Sequence, residues 1–265
     1  MIPLLKPIPT LRDFLGKYND LYPIDRQFAT DVINKKSKHA KAGKHGSTPL
    51  PQYAADLEDK WYASIQKGEP DYAVYDDYYF FTEMWVCWAI CSRGYLRTLL
   101  KPHVYDIVKD VKTIADLGCG IGYTTASFTQ MFPDSDVTGT NLEGTRQHRF
   151  CSIMGESYDF KMASDIQELD QADLVFASEY FEHILAPITH LEEILSRLNP
   201  KFLCVANSFN VHSVGHFDYY LVGNDWIPAS KLPVIFNRTM ARYGYHKIEI
   251  KAWNNKPVLW GRVGG

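Results

Sequence analysis

The segment from residue 116 to 122 reads Asp-Leu-Gly-Cys-Gly-Ile-Gly and places three glycines directly after a carboxylate. A short apolar run precedes it and apolar residues at helical spacing follow it, so these glycines are predicted to form a turn between a strand and a helix. Glycine tolerates unusual backbone dihedrals and lets a ligand approach the main chain, and a helix start offers free N–H donors. The segment therefore predicts a site for a nucleotide-type ligand.

Polar side chains also follow the next three predicted strands. They are Asn141 and Glu143 after the second, Asp165 after the third, and Ser178, Glu179, Glu182 and His183 after the fourth. Open α/β sheets bind ligands at the carboxyl ends of their strands, so we expect these side chains to surround one ligand. Taken singly, Asp165 is typical of a helix cap and Glu182-His183 of a surface pair. Their recurrence at strand ends is what favours a functional site.

The elements that position these residues alternate between strand and helix from Val111 onward, which predicts an α/β domain with a mostly parallel sheet. Strands are predicted near residues 112–117, 136–141, 160–163, 173–177 and 202–206. An amphipathic helix from Ile188 to Leu198 ends at Asn199-Pro200, where proline stops the helix. A further helix from Leu232 to Tyr243 precedes a β-hairpin formed by residues 246–253 and 258–263.

The first hundred residues differ in character and are predicted to form a helical cap, with residues 101–265 as the ligand-binding domain. Helical patterns cover residues 53–65 and 78–100. A group of tyrosines at 72, 75, 78 and 79 fits either core packing, which we favour, or a substrate-lining role. Five lysines between residues 35 and 44 predict an exposed basic loop near 35–46, for which contact with a polyanion is the weaker alternative.

Composition narrows the functional classes. The net charge of −3 and the isoelectric point near 6.3 argue against binding nucleic acid through the overall field. No run of 18 apolar residues and no signal-peptide pattern appears, so we expect a cytoplasmic protein without a membrane span. The five cysteines include no C-x-x-C pair, which favours reduced thiols over a zinc site.

The motif at 116–122 resembles the first motif of the Rossmann-like (class I) S-adenosylmethionine-dependent methyltransferases, and the order of the later elements is similar from about residue 95 to 263. The resemblance implies a mostly parallel seven-stranded sheet with a C-terminal antiparallel hairpin. It also implies that Gly118, Gly120 and Gly122 lie against the methionine part of the cofactor, that Asn141 holds the ribose and that Asp165 reaches the adenine. The remaining residues assigned to the cofactor site on this resemblance are Asp116, Tyr123, Leu142, Ile166, Ser178 and Glu179.

Asn141 departs from the family pattern, in which Asp or Glu is commonest. A neutral amide can donate and accept but makes no charge-assisted bond, so Glu143 could take part instead. Some small-molecule methyltransferases of the family also place Asn there. The G-x-G-x-G spacing argues against the alternative of an NAD site, which usually shows G-x-G-x-x-G.

The segment 178–184, Ser-Glu-Tyr-Phe-Glu-His-Ile, resembles the E-x-x-E-H motif of quinone-type O-methyltransferases and of small-RNA 2′-O-methyltransferases. In the small-RNA group these side chains bind a divalent metal, for which a further histidine such as His212, His216 or His246 would be needed. We treat a metal as possible but do not favour it. The catalytic candidates are His183, Glu182 and His216, with His183 as a general base.

The sequence thus predicts an S-adenosylmethionine-dependent methyltransferase that yields S-adenosylhomocysteine. A small-molecule acceptor is favoured. A nucleic-acid acceptor contacted by the Lys35–Lys44 loop and a non-catalytic protein that only senses the cofactor are the alternatives. No sequence feature indicates an oligomeric state.

Overall fold

A computed structural model describes residues 8, 9, 13, 14, 17, 52–77, 85–252 and 256–263, apart from the side chains of residues 52–54 and 85–91. The predicted basic loop at 35–46, Tyr78, Tyr79 and the turn at 253–255 lie outside the described residues.

Among the described residues, the main sheet has seven strands in the order β3-β2-β1-β4-β5-β9-β8. The pairs β5–β9 and β8–β9 are antiparallel, and the other four pairs are parallel. This confirms the predicted fold class. The seven strands are β1 Thr113–Leu117, β2 Asp136–Thr140, β3 Lys161–Ala163, β4 Leu174–Ser178, β5 Phe202–Ala206, β8 Tyr245–Ile248 and β9 Val258–Arg262.

The two remaining strands, β6 Tyr219–Val222 and β7 Asp225–Pro228, form a separate hairpin around Gly223 and Asn224. The sequence analysis did not predict this hairpin. Its signal is nonetheless present, because a two-residue Gly-Asn turn flanked by apolar and aromatic residues is typical of a tight hairpin.

Helices cover both faces of the main sheet because successive strand residues point to opposite sides. Ile114 belongs to one core cluster and Ala115 to the other, and Phe176 and Ala177 divide in the same way. The first cluster contains side chains of α2, α3, α4 and α5, and the second those of α1, α6 and α7. The helices are α1 Gln52–Gln66, α2 Trp85–Leu99, α3 Pro102–Val108, α4 Tyr123–Met131, α5 Arg146–Tyr158, α6 Pro187–Arg197 and α7 Leu232–Arg242.

The boundary at residue 100 stays a prediction. Leu96 and Leu99 of α2 are fully buried in the same cluster as Ile114 and Phe128 of the sheet domain. None of the described helices is both long enough and apolar enough to cross a membrane.

The strand order reverses between β1 and β4, because β2 and β3 lie on one side of β1 while β4 and β5 lie on the other. Loops that leave two such strands separate in opposite directions and open a crevice at their carboxyl ends. The glycine turn follows β1 and Glu179 follows β4, so the sheet brings both to this crevice.

Candidate functional site

A groove with about 1000 Å³ of empty space lies over the carboxyl ends of β1 to β4. Seven predicted site residues line it, and the other seven do not. Those that line it are Gly118, Asn141, Leu142, Asp165, Ile166, Glu179 and His183; those that do not are Asp116, Gly120, Gly122, Tyr123, Ser178, Glu182 and His216. The residues that do not line the groove can affect a ligand there through the residues that do.

The glycine turn has a conformation that only glycine adopts readily. Gly118 has a φ of +62° and Gly122, which caps α4, has a φ of +79°. A Cβ atom on Gly118 would stand 2.6 Å from Cδ2 of the Tyr180 ring. The turn is thus packed tightly under Tyr180, a groove residue that the sequence analysis did not single out.

Asp116 is buried and holds the turn to the helix that follows it. Its Oδ2 accepts hydrogen bonds from the hydroxyls of Thr124 and Thr125, the latter at 2.7 Å. Burial raises the pKa of Asp116 to about 7, although the two threonine hydroxyls act in the opposite direction. Asp116 therefore fixes the turn to α4 and lies behind the residues that line the groove.

Asn141 uses its amide to fix the same turn from the end of β2. Its Nδ2 donates to the carbonyl oxygen of Gly120 at 2.8 Å, and Cys151 Sγ donates to that oxygen at 2.9 Å. An aspartate at 141 would have no hydrogen to donate to Gly120. The neutral residue is therefore explained by this bond, and Glu143 is exposed and does not line the groove.

Gln147 on α5 is a groove residue that the sequence analysis missed. It is buried, and its Oε1 has no hydrogen-bond partner among the described residues. A buried acceptor without a donor costs free energy, so this oxygen is suited to a ligand donor such as a hydroxyl. Its position on the first turn of α5, six residues after Asn141, is the only sequence signal that could have identified it.

Asp165 both caps a turn and lines the groove. Its Oδ1 accepts from the backbone N–H of Gln167 at 2.9 Å at the start of a 3-10 helix, Ile166–Glu168. Leu142 is half exposed at the rim. By contrast, Tyr123 donates its hydroxyl to the carbonyl of Pro9 within the core, and Ser178 contacts Ser92.

His183 and Tyr75 form the opposite end of the groove. The Tyr75 hydroxyl lies 2.8 Å from His183 Nδ1, and the His216 ring packs on His183 with the ring centroids 4.7 Å apart. Burial, followed by the neighbouring His216, lowers the pKa of His183 to about 3, and burial also lowers the pKa of His216. Both imidazoles are neutral at physiological pH, and His216 Nδ1 is bonded to the carbonyl of Val211 at 2.7 Å.

Glu179 and Glu182 form a buried carboxyl pair beside this end. Glu179 has a φ of +50°, and its Oε1 accepts from the Tyr95 hydroxyl at 3.3 Å and lies 3.7 Å from Lys256 Nζ. Glu182 Oε1 accepts from the Ser208 N–H at 2.8 Å. Among the described residues, neither buried Oε2 of the pair has a hydrogen-bond partner. Burial first, and then the charge of Glu179, raise the pKa of Glu182 well above its usual range.

Solved structures share this architecture. A protein of Nostoc punctiforme, assigned provisionally as an O-methyltransferase, superposes with a TM-score of 0.52 over 80% of this chain and 69% of its own, at 14% identity. The chain has the Rossmann-like fold of the class I methyltransferases. No family model matches it, and no curated protein matches it in sequence.

Two further methyltransferase structures are less similar. A small-RNA methyltransferase aligns with a TM-score of 0.47 over 66% of this chain and 25% of its own, at 15% identity. An O-methyltransferase family protein from Burkholderia thailandensis aligns with a TM-score of 0.41 over 65% of this chain and 58% of its own, also at 15% identity. Of these three proteins, the Nostoc protein alone has a TM-score above 0.5, and the fold assignment rests on it.

The methyltransferase fold does not assemble a metal site from the E-x-x-E-H motif in the part of the chain that is described. His246 is exposed on the edge strand β8, and His212 stacks on Tyr62 with the ring centroids 3.9 Å apart. Lys256 already places a cation beside Glu179. Across residues 52–77, 85–252 and 256–263, no group of three or more His, Cys, Asp or Glu side chains could hold an ion.

Proposed function

We propose that this protein is an S-adenosylmethionine-dependent methyltransferase that acts on a small-molecule acceptor. One observation carries the proposal: the glycine turn after β1 lies at the topological switch point and borders a groove that Asn141 and Asp165 also line. A positive-φ turn at a helix start offers backbone N–H groups and close approach, which suits the carboxylate of an amino-acid moiety.

In this proposal the methionine part of the cofactor lies against Gly118 and Tyr180. The ribose lies at the end of β2, where Asn141 is committed to Gly120 and Gln147 offers a free acceptor oxygen to a hydroxyl. Leu142 and Ile166 provide apolar surfaces for the adenine, and Asp165 accepts from its amino group.

Methyl transfer would then occur at the end of the groove formed by Tyr75, His183 and Glu179. The cofactor would supply a sulfonium methyl group for direct displacement by the acceptor oxygen, with the electrons of the carbon–sulfur bond returning to sulfur and S-adenosylhomocysteine as the product. The acceptor proton passes to Glu179, because Glu179 is the carboxylate of the pair that lines the groove. With Glu179 as proton acceptor, His183 serves to orient the acceptor through its neutral imidazole.

This assignment revises the catalytic candidates in two respects, of which the first is that Glu179 and not His183 accepts the proton. His183 lines the groove, whereas Glu182 and His216 lie behind Glu179 and His183 and act as positioning residues. A small-molecule acceptor is supported by the size of the groove and by the net charge of −3. The nucleic-acid alternative depends on the Lys35–Lys44 segment, which lies outside the described residues.

Calorimetric titration with S-adenosylmethionine and S-adenosylhomocysteine tests the proposal first. We expect both to bind with one site per chain, and we expect Gly118→Ala to weaken the binding of both by at least about 100-fold. Absence of binding by the intact protein would refute the proposal. Mass-spectrometric assays with hydroxylated acceptors then test catalysis; binding without transfer to any acceptor would favour the non-catalytic sensor.

A further inference from the structure

A second groove, here called the aromatic groove, opens next to the first with about 1010 Å³ of empty space. Its walls come from α1, from the turn that follows α1, and from the β6–β7 hairpin. None of the sequence motifs pointed to it. The residues that carry the argument are Tyr62, Leu185, Asp218, Tyr219 and Trp226.

The aromatic side chains of this groove are exposed yet held in place. Trp226 and Tyr219 are 60% and 56% exposed, although large aromatic residues are usually covered. Trp226 pairs with Leu221 across the hairpin, so it shares a face with Tyr219, which is two residues before Leu221. On the opposite wall Tyr62 is fixed by its stacking on His212 and by a hydrogen bond from its hydroxyl to the Ser213 carbonyl at 3.4 Å.

The aromatic groove adjoins the proposed methyl-transfer end of the first groove. Leu185 lines both, and it follows His183 by two residues, a span of at most about 7 Å. The backbone of Leu185 is anchored to the hairpin, because its carbonyl accepts from the Leu221 N–H at 2.9 Å. Leu185 therefore places the aromatic groove beside the His183 end of the first groove.

The charge of the aromatic groove restricts the occupant. Among the described residues that line it, Asp218 alone carries a charge, and its Oδ1 lies 3.7 Å from His212 Nδ1. Indole and phenol faces carry negative potential, and a carboxylate at the rim adds to it. Such a surface binds flat aromatic molecules that are neutral or cationic and disfavours anions.

We infer that the aromatic groove is the acceptor-binding subsite, and that the acceptor is a hydroxylated planar aromatic molecule without negative charge. This inference rests on the proposed methyltransferase function, since it places the acceptor's rings against Tyr62, Tyr219 and Trp226 while its hydroxyl faces Glu179 and His183.

Calorimetry with 2-naphthol as the probe, on protein saturated with S-adenosylhomocysteine, tests the inference. We expect Trp226→Ala to weaken 2-naphthol binding by at least about tenfold, because it removes one aromatic wall, and to leave S-adenosylhomocysteine affinity unchanged. The matched control is Val234→Ala, which removes an exposed apolar side chain on α7 and should change neither. A sulfonated 2-naphthol should bind more weakly than 2-naphthol, and Asp218→Asn should narrow that difference.

Equal 2-naphthol affinity in Trp226→Ala and the intact protein would overturn the inference, as would equal binding of the sulfonated probe or no binding of 2-naphthol. If the intact protein failed to bind S-adenosylhomocysteine, the proposed function would fall by itself. The effect of Trp226→Ala on 2-naphthol, measured without the cofactor product, would still decide whether the groove takes aromatic ligands.

Discussion

The proposed cofactor end and the proposed acceptor end of the main groove are built from different kinds of contact. At the glycine turn, the bonds that Asn141 and Cys151 make to Gly120 span 21 and 31 positions of the chain. At the other end, Tyr75 reaches His183 across 108 positions, and Trp61 Nε1 donates to the carbonyl of His216 across 155. Consecutive βαβ units form the first end, whereas the second depends on how α1 and the segment after β5 pack on the sheet.

This difference agrees with the two functions that we propose for the groove. Local units reproduce the same turn wherever the same short motif occurs, so a common cofactor suits that end. An end assembled from distant segments can change its lining without disturbing the sheet, so it suits a variable acceptor. Four substitutions test the two ends separately.

Gly118→Ala should have the largest effect. A residue with Cβ is strained at a φ of +62°, and the new methyl would meet the Tyr180 ring at 2.6 Å. We expect S-adenosylhomocysteine affinity to fall by at least about 100-fold, equivalent to about 2.7 kcal/mol, in calorimetric titration. Gly144→Ala is the control, because Gly144 has a φ of +76° but no atom within 4 Å of its added Cβ. Equal affinities in the two variants would show that the contact with Tyr180 is unimportant.

Asn141→Asp should weaken the cofactor end although it restores the commonest residue of the resembling family. The carboxylate cannot donate to the Gly120 carbonyl and would face it across the bond that is now 2.8 Å. We expect an affinity loss of about 30-fold, or about 2 kcal/mol, since a buried hydrogen bond is replaced by an unpaired acceptor. Asn210→Asp, at an exposed position outside the groove, serves as the control. Tighter binding by Asn141→Asp would contradict the proposed role of the Asn141–Gly120 hydrogen bond in fixing the turn.

The two ends also differ in how far the sequence predicted them. The glycine turn and the strand bounds followed from apolar runs and turn residues; β5 was predicted and found at the same five residues, 202–206. Apolar runs can be identified from the sequence because buried positions are occupied by apolar residue types. The Glu179–Glu182 pair was predicted as a set of residues, yet its surroundings include the positive φ of Glu179 and the contact with Lys256 from the connection between β8 and β9, which spacing along the chain does not contain.

The β6–β7 hairpin and Gln147 were missed for two separate reasons. The hairpin stands outside the main sheet, so the alternation of strands and helices carried no information about it. Gln147 became a candidate only when its Oε1 proved to be buried without a donor, which depends on how α5 packs. Residue types predicted the common scaffold, while three-dimensional packing determined which polar atoms remain free.

His183→Gln should change the pH dependence of stability. The pKa of His183 is about 3 in the folded protein and about 6.5 in the unfolded chain, so the unfolded state takes up the proton first as the pH falls. Stability is therefore lost as the pH drops below about 6.5. Between pH 7 and pH 5 we expect the intact protein to lose about 2 kcal/mol more than His183→Gln in urea unfolding. Parallel loss in both proteins would mean that His183 is charged when folded.

Gln147→Leu should have the smallest of the four effects and the most specific one. Leucine keeps most of the side-chain volume but removes the free Oε1, so a ribose hydroxyl would lose its acceptor while the glycine turn stays intact. We expect S-adenosylhomocysteine to bind about tenfold more weakly, or by about 1.4 kcal/mol, in calorimetric titration. An analogue that lacks both ribose hydroxyls should bind the intact protein and Gln147→Leu equally. A tenfold loss with both ligands would instead place the role of Gln147 in packing, because only a hydrogen bond to the ribose makes the effect depend on its hydroxyls.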